Sequence, residues 1–306
     1  MKKFIVMLLA MVLSLTLAGC AESEYQVDGT FTAYEVSLHY DGTPQVTYVS
    51  VTIEKGKIVS YDIDVRQGSA EDSDTEGEYD YAWNEETKKE LGDEYGMEGV
   101  GQAYELVDGA WVAVEDGKST YEWYEQAEMV EAYWLENGVD AMETIDGRIS
   151  NVSGVTVKDA YSALALEALE NAKAGKVQAF LCEGGYNIDF VFASMTIDED
   201  GNVANLVLDV LQGNASGEAF AWDEETKQEK GDEYGMVAVG AEYEWYEQAN
   251  MLTDYIVVNG WNADLTSIDG SGVSLDGTTV VEGLSGVTVT TDSYLEVLED
   301  LFGLVE

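Results

Sequence analysis

Two near-identical stretches of the sequence place hydroxyl side chains beside a glycine. Residues 153–156 and residues 285–288 both read Ser-Gly-Val-Thr. Helical patterns follow them, at residues 159–174 and 292–302. A hydroxyl next to the free N–H groups of a helix N-terminus is well placed to hold a phosphate. The spacing therefore predicts that each turn opens a helix and is the attachment point of a phosphorylated cofactor.

Each residue type in the turn has a defined use in such a site. The glycine permits a tight backbone, the last threonine offers a nucleophilic hydroxyl, and the following helix supplies the positive end of its dipole. The same residue types also make an ordinary helix N-cap, so the motif alone leaves both interpretations open. The candidate cofactor-binding residues of the two turns are Ser153, Gly154, Thr156, Ser285, Gly286 and Thr288.

The composition is that of a folded but strongly acidic protein. The chain has 306 residues, 46% of them hydrophobic and 11% aromatic, which is enough for two packed domains. Its 61 acidic residues outnumber 14 basic ones and give a formal net charge of −47. Such a surface repels nucleic acids and anionic lipid headgroups, so we exclude nucleic-acid binding. The charge indicates solubility, and it would also attract cations or a basic partner.

Residues that usually carry out catalysis are scarce. The single histidine, His39, lies in a predicted strand. One histidine and two cysteines exclude a Ser-His-Asp triad in both halves of the chain and a His-rich metal site. Cys182 lies in a strand-like run and is expected to be a buried, inert thiol. We find no catalytic constellation and expect no independent enzymatic activity.

The N-terminus has the form of a targeting segment. Two lysines precede the apolar residues 4–15, a run shorter than the about 20 residues that span a bilayer. The segment ends Leu-Ala-Gly-Cys at Cys20, which looks like a bacterial lipobox. We therefore expect residues 1–19 to be a lipoprotein signal peptide, Cys20 to be lipidated, and residues 20–25 to form the linker.

The rest of the chain is an internal repeat. Matched sequence blocks lie 139 residues apart around Trp83 but 122 residues apart around Trp123. The first repeat therefore carries 17 extra residues between these blocks, and we expect an extended loop or hairpin within residues 100–119. The repetition predicts two tandem homologous domains, residues 26–175 and 176–306.

Each repeat begins with a β-rich half and continues with helices. β-Branched and aromatic residues flank short turns at Lys55-Gly56 and Asp200-Gly201, which indicates hairpins. Apolar helical spacing begins at Trp123 and at Trp245. The predicted fold class is α+β, with an antiparallel sheet and packed helices in each domain. The predicted strands are residues 30–40, 47–53, 58–65, 177–181, 190–197 and 203–210.

Two further features allow more than one interpretation. Planar rings and thioethers that recur in both repeats could stack on a flat ligand or could build the core. They are Trp83, Trp222, Tyr95, Tyr234, Trp123, Trp245, Met97 and Met236. The acidic stretches 71–80 and 198–201 lack the ligand spacing of an EF-hand and favour solvated turns. A calcium-dependent surface module remains a rival hypothesis.

The whole mature chain resembles the tandem FMN-binding domains of bacterial lipoproteins. The resemblance includes Gly-Asp-Glu-Tyr-Gly-Met at residues 92–97 and 231–236 and Glu-Trp-Tyr-Glu-Gln at residues 122–126 and 244–248. The attachment motif of that family is an acidic residue, two variable positions and Ser/Thr-Gly-Ala-Thr. The resemblance implies that a separate flavin transferase uses FAD to esterify the last threonine to the phosphate of FMN. Similar domains occur in sodium-pumping quinone reductases and in lipoproteins of extracellular electron transfer.

The second turn fits the family motif better than the first. Glu282 stands at the acidic position before the second turn, whereas Ser150 stands there in the first repeat. Both turns have valine where the family has alanine. The resemblance therefore implies covalent FMN at Thr288 first and at Thr156 second.

The resemblance implies a lipid-anchored flavoprotein on the outer face of a bacterial cytoplasmic membrane, of the Gram-positive type. It would carry electrons from a membrane donor to an extracellular acceptor, with the flavin supplying the redox chemistry. Its partners would be the flavin transferase, the donor, the acceptor and the membrane, through the lipid. The alternative is a lipoprotein without flavin that binds a ligand or partner through its aromatic, acidic surface.

Overall fold

The structure is a computed structural model that describes residues 24–25, 27–268 and 272–305. The expected signal peptide, the expected lipidation site Cys20 and the turn at residues 269–270 lie outside the described residues. Within the described ranges, no helix has the length and apolar character needed to cross a bilayer.

The described residues form fourteen β-strands and six α-helices. The strands are β1 (Gly29–Leu38), β2 (Pro44–Glu54), β3 (Lys57–Asp72), β4 (Tyr79–Trp83), β5 (Gln102–Val107), β6 (Ala110–Lys118), β7 (Thr144–Ile145), β8 (Arg148–Ile149), β9 (Lys176–Gly184), β10 (Asn187–Ile197), β11 (Val203–Asn214), β12 (Ser216–Gly217), β13 (Thr266–Ser267) and β14 (Val273–Ser274). The α-helices are α1 (Lys88–Leu91), α2 (Trp123–Asn137), α3 (Ser162–Ala174), α4 (Lys227–Lys230), α5 (Trp245–Asn259) and α6 (Asp292–Gly303).

Antiparallel pairing joins the strands into two larger sheets and three hairpins. β1, β2, β3, β4 and β12 form a five-stranded sheet in that order, and β11, β10 and β9 form a three-stranded sheet. Three further pairs form two-stranded hairpins, β5–β6, β7–β8 and β13–β14; isolated bridges also join β8 to Lys158 and β14 to Val280. The fold is mixed α+β with antiparallel sheets, as predicted.

The predicted hairpins are confirmed, and their turns have the expected chemistry. Lys55 and Gly56 both have positive φ, 52° and 68°, which suits the twist of a tight hairpin between β2 and β3. β3 continues beyond the predicted end at Val65 as far as Asp72, because its last residues pair with β4. The extra 17 residues of the first repeat form the β5–β6 hairpin, which confirms that prediction.

The helices cover the sheets and bury their apolar faces. α2 packs on β3 and α5 on β11, whereas α3 packs on β1 and β2 and α6 on β9 and β10. The predicted apolar faces of α2 and α5 are buried: Trp123, Ala127, Val130 and Trp134, and Trp245, Ala249, Leu252 and Ile256. Both helices end at glycines with positive φ, Gly138 at 86° and Gly260 at 84°, as the Asn-Gly pairs predicted.

Two matched tryptophans make hydrogen bonds between the repeats. Trp83 of the first repeat donates its indole N–H to the carbonyl of Asp189 in the second, at 3.3 Å. Trp222 of the second repeat donates to the carbonyl of Ser37 in the first, at 3.1 Å. Their rings lie 6.0 Å apart. These crossed bonds make the pair a structural contact, which favours the core interpretation of these two rings.

Cys182 lies in β9 as a half-buried free thiol. Burial raises the pKa of its thiol to about 12, although the charge of Arg66 lowers it slightly. A thiol is reactive as the thiolate, so this pKa keeps Cys182 unreactive near neutral pH. The expectation of an inert thiol is consistent with this environment.

Candidate functional site

The two Ser-Gly-Val-Thr turns do not open helices, contrary to the prediction. α3 begins at Ser162, six residues after Thr156, and α6 begins at Asp292, four residues after Thr288. In the first repeat the N-terminus of α3 is capped by Asp159, whose carboxylate accepts the N–H groups of residues 161 and 162 at 3.1 and 2.9 Å. The predicted phosphate site on a helix dipole is therefore wrong for both turns.

A buried glutamine holds each turn instead. The side-chain oxygen of Gln126 accepts the backbone N–H of Thr156 at 2.8 Å, and that of Gln248 accepts the N–H of Thr288 at 2.7 Å. Their amide groups donate to backbone carbonyls, Gln126 to Tyr121 at 3.3 Å and Gln248 to residue 243 at 3.0 Å. Both glutamines are at most 1% exposed. Each carboxamide thus ties a turn to the start of α2 or α5.

Sequence reasoning missed these two glutamines, although a signal was present. Gln126 lies on the buried face of α2, between Trp123 and Ala127, where apolar residues are expected. Gln248 occupies the same place in α5. A polar side chain at the same core position of two repeated helices indicates a specific hydrogen-bonding partner.

The two threonines of the turns differ in exposure. Thr288 is exposed and Thr156 is half-buried. Their hydroxyls lie 3.3 and 3.4 Å from the same glutamine oxygens, which are long distances for O–H···O hydrogen bonds. Val155 and Val287, in contrast, are buried in the core at 1% and 2% exposure. The valine side chains therefore belong to the core and not to the exposed surface of the turns.

The glycines of the turns allow a tyrosine to lie against the backbone. A Cβ atom on Gly154 would lie 3.0 Å from the ring of Tyr121, and one on Gly286 would lie 2.8 Å from the ring of Tyr243. Gly154 also has a φ of 89°, which disfavours other residues. The adjacent serines, Ser153 and Ser285, are exposed, and so is Glu282.

An open cavity of about 500 Å³ lies beside the first turn. The β5–β6 hairpin forms one wall with Tyr104 and Trp111, and the turn with Thr156 forms the opposite wall. The guanidinium carbon of Arg148 lies 3.8 Å from the ring centroid of Tyr104, and its Nη1 donates to the carbonyl of Thr156 at 2.5 Å. The indole N–H of Trp111 is buried and has no hydrogen-bond partner among the described residues.

Trp123 and Trp245 belong to the core and cannot stack on a ligand. Each donates its indole N–H to a buried tyrosine hydroxyl, Trp123 to Tyr161 at 3.1 Å and Trp245 to Tyr294 at 2.9 Å. Burial raises the pKa of Tyr161 to about 12. The Trp123–Tyr161 bond joins the start of α2 to the residue before α3. The Trp245–Tyr294 bond joins the start of α5 to the first turn of α6.

In each repeat a lysine lies over the ring of a tyrosine and the ring of the core tryptophan. The ammonium of Lys88 lies 5.1 Å from the ring centroid of Tyr95 and 5.3 Å from that of Trp123. Lys227 has the matching position over Tyr234 and a core tryptophan, at 5.5 and 5.4 Å. Burial lowers the pKa of Lys88 to about 8, although the charge of Asp64 opposes this shift.

Replacing Lys88 by methionine should change how stability depends on pH. The folded-state pKa of about 8 lies below the usual 10.5, so burial of the charged form costs stability below pH 8. The free energy of unfolding of the wild type, relative to that of the variant, should therefore rise above pH 8 by about 1.4 kcal/mol per pH unit. Urea unfolding of both proteins at pH 7, 8 and 9 measures this gain. A difference in unfolding free energy that stays constant across these pH values would contradict it, and Lys118→Met provides an exposed control.

The acidic turn at Asp198 is organised by its own backbone. The carboxylate of Asp198 accepts the N–H groups of Asp200 and Asn202 at 3.0 and 2.8 Å. Hydrogen bonds lower the pKa of Asp198. The side chain of Asn202 makes the largest contribution, and these backbone bonds add to it. This carboxylate is thus engaged in closing the hairpin between β10 and β11.

The chain matches no family profile and no curated protein. Among solved structures, it is similar to a protein from Clostridium thermocellum whose solution structure was determined by NMR. The match is 28% identical, covers 47% of this chain and 91% of the other, and has a TM-score of 0.27.

Proposed function

We propose that this protein is a lipid-anchored, extracytoplasmic electron carrier that holds FMN by phosphoester bonds to Thr288 and Thr156. It would consist of two tandem α+β domains, residues 26–175 and 176–306, anchored through Cys20. The observation that carries the proposal is the shared geometry of the two turns. Each places a threonine, half-buried at Thr156 and exposed at Thr288, on a backbone that a buried glutamine holds in place.

The attachment needs only chemistry that a threonine can provide. The flavin transferase would use FAD as the donor. The threonine Oγ forms a bond to the FMN phosphorus, the pyrophosphate bond of FAD breaks, AMP leaves, and the hydroxyl proton is released. No electrons are transferred in this step. This protein would hold the hydroxyl in a fixed conformation, which reduces the entropic cost of the reaction.

The residues around the turns fit an attached flavin. The valines of both turns lie in the core, so packing accommodates the departure from the family's alanine. The cavity beside Thr156 is about 500 Å³, within the range of roughly 300–1,000 Å³ for small-molecule sites. Tyr104 and Trp111 supply aromatic walls of the kind that a flat ring contacts. When bound, the flavin would supply reversible reduction.

The charge of the chain restricts its partners. With a formal net charge of −47, the surface would repel anionic acceptors and attract cationic or metal-oxide ones. Covalent attachment suits an extracytoplasmic position, because a cofactor bound only by noncovalent contacts would be lost by dilution. The partners of the proposal are the flavin transferase, a membrane electron donor and an extracellular acceptor.

One observation favours a second candidate function, that of a ligand-binding lipoprotein without flavin. A cleft of about 850 Å³ lies between the two larger sheets and α6. Arg66 and Tyr48 line it on one side, and Gln178 and Cys182 on the other. The Nε of Arg66 is buried without a hydrogen-bond partner among the described residues, so an acceptor group on a ligand could satisfy it.

Co-expression of the full chain with a flavin transferase tests the primary proposal. We expect a fluorescent band on a denaturing gel and one or two FMN-sized increments in the intact mass, since a phosphoester survives denaturation. Expression without the transferase provides the matched control. A non-fluorescent band with an unmodified mass in the presence of an active transferase would favour the ligand-binding alternative.

A further inference from the structure

The two turns differ in what covers them. The β5–β6 hairpin lies beside the first turn and forms one wall of the cavity next to Thr156. The second repeat lacks the 17 residues that build this hairpin, and Thr288 is exposed where Thr156 is half-buried. Two otherwise matched attachment points therefore have different surroundings.

We propose that the ring of the flavin attached to Thr156 binds against the β5–β6 hairpin, so that this flavin is shielded while the flavin on Thr288 is open to solvent. This inference rests on the proposed function and assigns different roles to its two sites. The open flavin at Thr288 exchanges electrons with external acceptors, and the covered flavin at Thr156 is protected from direct contact with them.

The cavity has the walls that a flat, polar ring requires. Tyr104 and Trp111 extend from the hairpin, and Tyr121 lies next to Gly154 of the turn. The buried indole N–H of Trp111 has no acceptor among the described residues, and a buried donor without a partner is destabilising. A ring carbonyl of an isoalloxazine is a suitable acceptor for this donor. The cavity thus has aromatic walls, and one of them comes from a residue with an unpaired buried donor.

Arg148 adds positive charge next to this cavity, through its contacts with Tyr104 and the carbonyl of Thr156. Its bond to the carbonyl of Thr156 uses one of the five N–H donors of a guanidinium. The other N–H donors of this guanidinium lie next to Thr156, the residue that would carry the phosphodiester anion. In the second repeat, the matching Asp269-Gly270 pair is followed by Ser271 in the sequence, so this charge belongs to the first site.

Single-site variants allow the two flavins to be measured separately. Thr288→Ala leaves only the flavin on Thr156, and Thr156→Ala leaves only the flavin on Thr288. Acrylamide quenching of flavin fluorescence reports solvent access, and this neutral quencher avoids the repulsion that an anionic quencher meets at this surface. We expect a several-fold smaller quenching constant for Thr288→Ala than for Thr156→Ala.

Removal of the hairpin gives the matched test of its role. Ser119 donates its N–H to the carbonyl of Gly101 at 2.7 Å, so a short Gly-Ser linker can replace residues 102–118. In the Thr288→Ala background, this deletion should raise the quenching constant to the value of the open site. Trp111→Ala in the same background should raise it in the same direction and avoids a large deletion.

The outcomes distinguish the covered-site inference from the carrier proposal. Equal quenching constants for the two single-site variants, or no rise after both the hairpin deletion and Trp111→Ala, would overturn the covered-site inference and leave the carrier proposal intact. Flavin on Thr156→Ala but none on Thr288→Ala would also overturn it, because the cavity would hold no attached ring. The absence of flavin from both variants and from wild type would reject the carrier proposal itself.

Discussion

Replacing Thr156 and Thr288 together by alanine is expected to remove all covalently bound flavin from the protein. The proposal places each ester on a threonine and none on the neighbouring Ser153 or Ser285, so no residual attachment should remain. The side chains are half-buried and exposed, so their loss should leave the fold intact. Intact mass after co-expression with the transferase measures the result as a return to the unmodified mass.

The single variants and a distant serine control this experiment. Thr288→Ala and Thr156→Ala should each remove one FMN-sized increment from a doubly loaded protein. Ser162→Ala should leave the mass increments unchanged, since Ser162 begins α3 and its buried hydroxyl has no hydrogen-bond partner among the described residues. Full loading of the double variant would place the flavin elsewhere and reject both attachment sites.

Replacing Gln248 by leucine is expected to lower both the melting temperature and the flavin content at Thr288. The substitution removes the acceptor for the N–H groups of Thr288 and Val289, which lie 2.7 and 3.1 Å from the glutamine oxygen. Each buried donor left unpaired costs about 1–3 kcal/mol. Loss of these bonds also frees the turn, so fewer molecules present the hydroxyl correctly to the transferase. Thermal unfolding and intact mass measure the two effects.

The chain offers matched comparisons for this variant. Gln126→Leu should act in the same way on Thr156, because Gln126 makes the corresponding bond at 2.8 Å. Gln228→Leu makes the same chemical change away from both turns, where the amide of Gln228 donates to the carbonyl of Leu208. Its flavin content should equal that of wild type. If Gln248→Leu unfolds at a lower temperature but loads Thr288 fully, the glutamine stabilises the fold without positioning the attachment site.

Elements with strong local patterns could be predicted from the sequence. The Lys55-Gly56 turn predicted the β2–β3 hairpin, and the spacing of apolar residues from Trp123 predicted the buried face of α2. A break in the repeat offset predicted the β5–β6 hairpin. The start of α3 was predicted three residues too early, because Asp159 matches helical spacing but acts as the cap in front of the helix.

The candidate site was predicted only in part. The threonines and glycines of the turns were identified by their repetition, whereas the glutamines that hold them were not. Arg148 was also missed, since a single basic residue after an Asp-Gly pair carries no pattern. Its contacts with Tyr104 and with the carbonyl of Thr156 depend on how the inserted hairpin folds back over the turn.

The sequence by itself determined the antiparallel α+β character, the hairpins and the repeated turns, because periodicity and turn residues act between close neighbours in the chain. Only the tertiary structure decided that Gln248, 40 residues before Thr288, positions that turn, and that Trp222 bonds to the carbonyl of Ser37 across 185 residues. Such contacts satisfy buried polar groups. Their partners are set by the packing of whole elements, which no local pattern specifies.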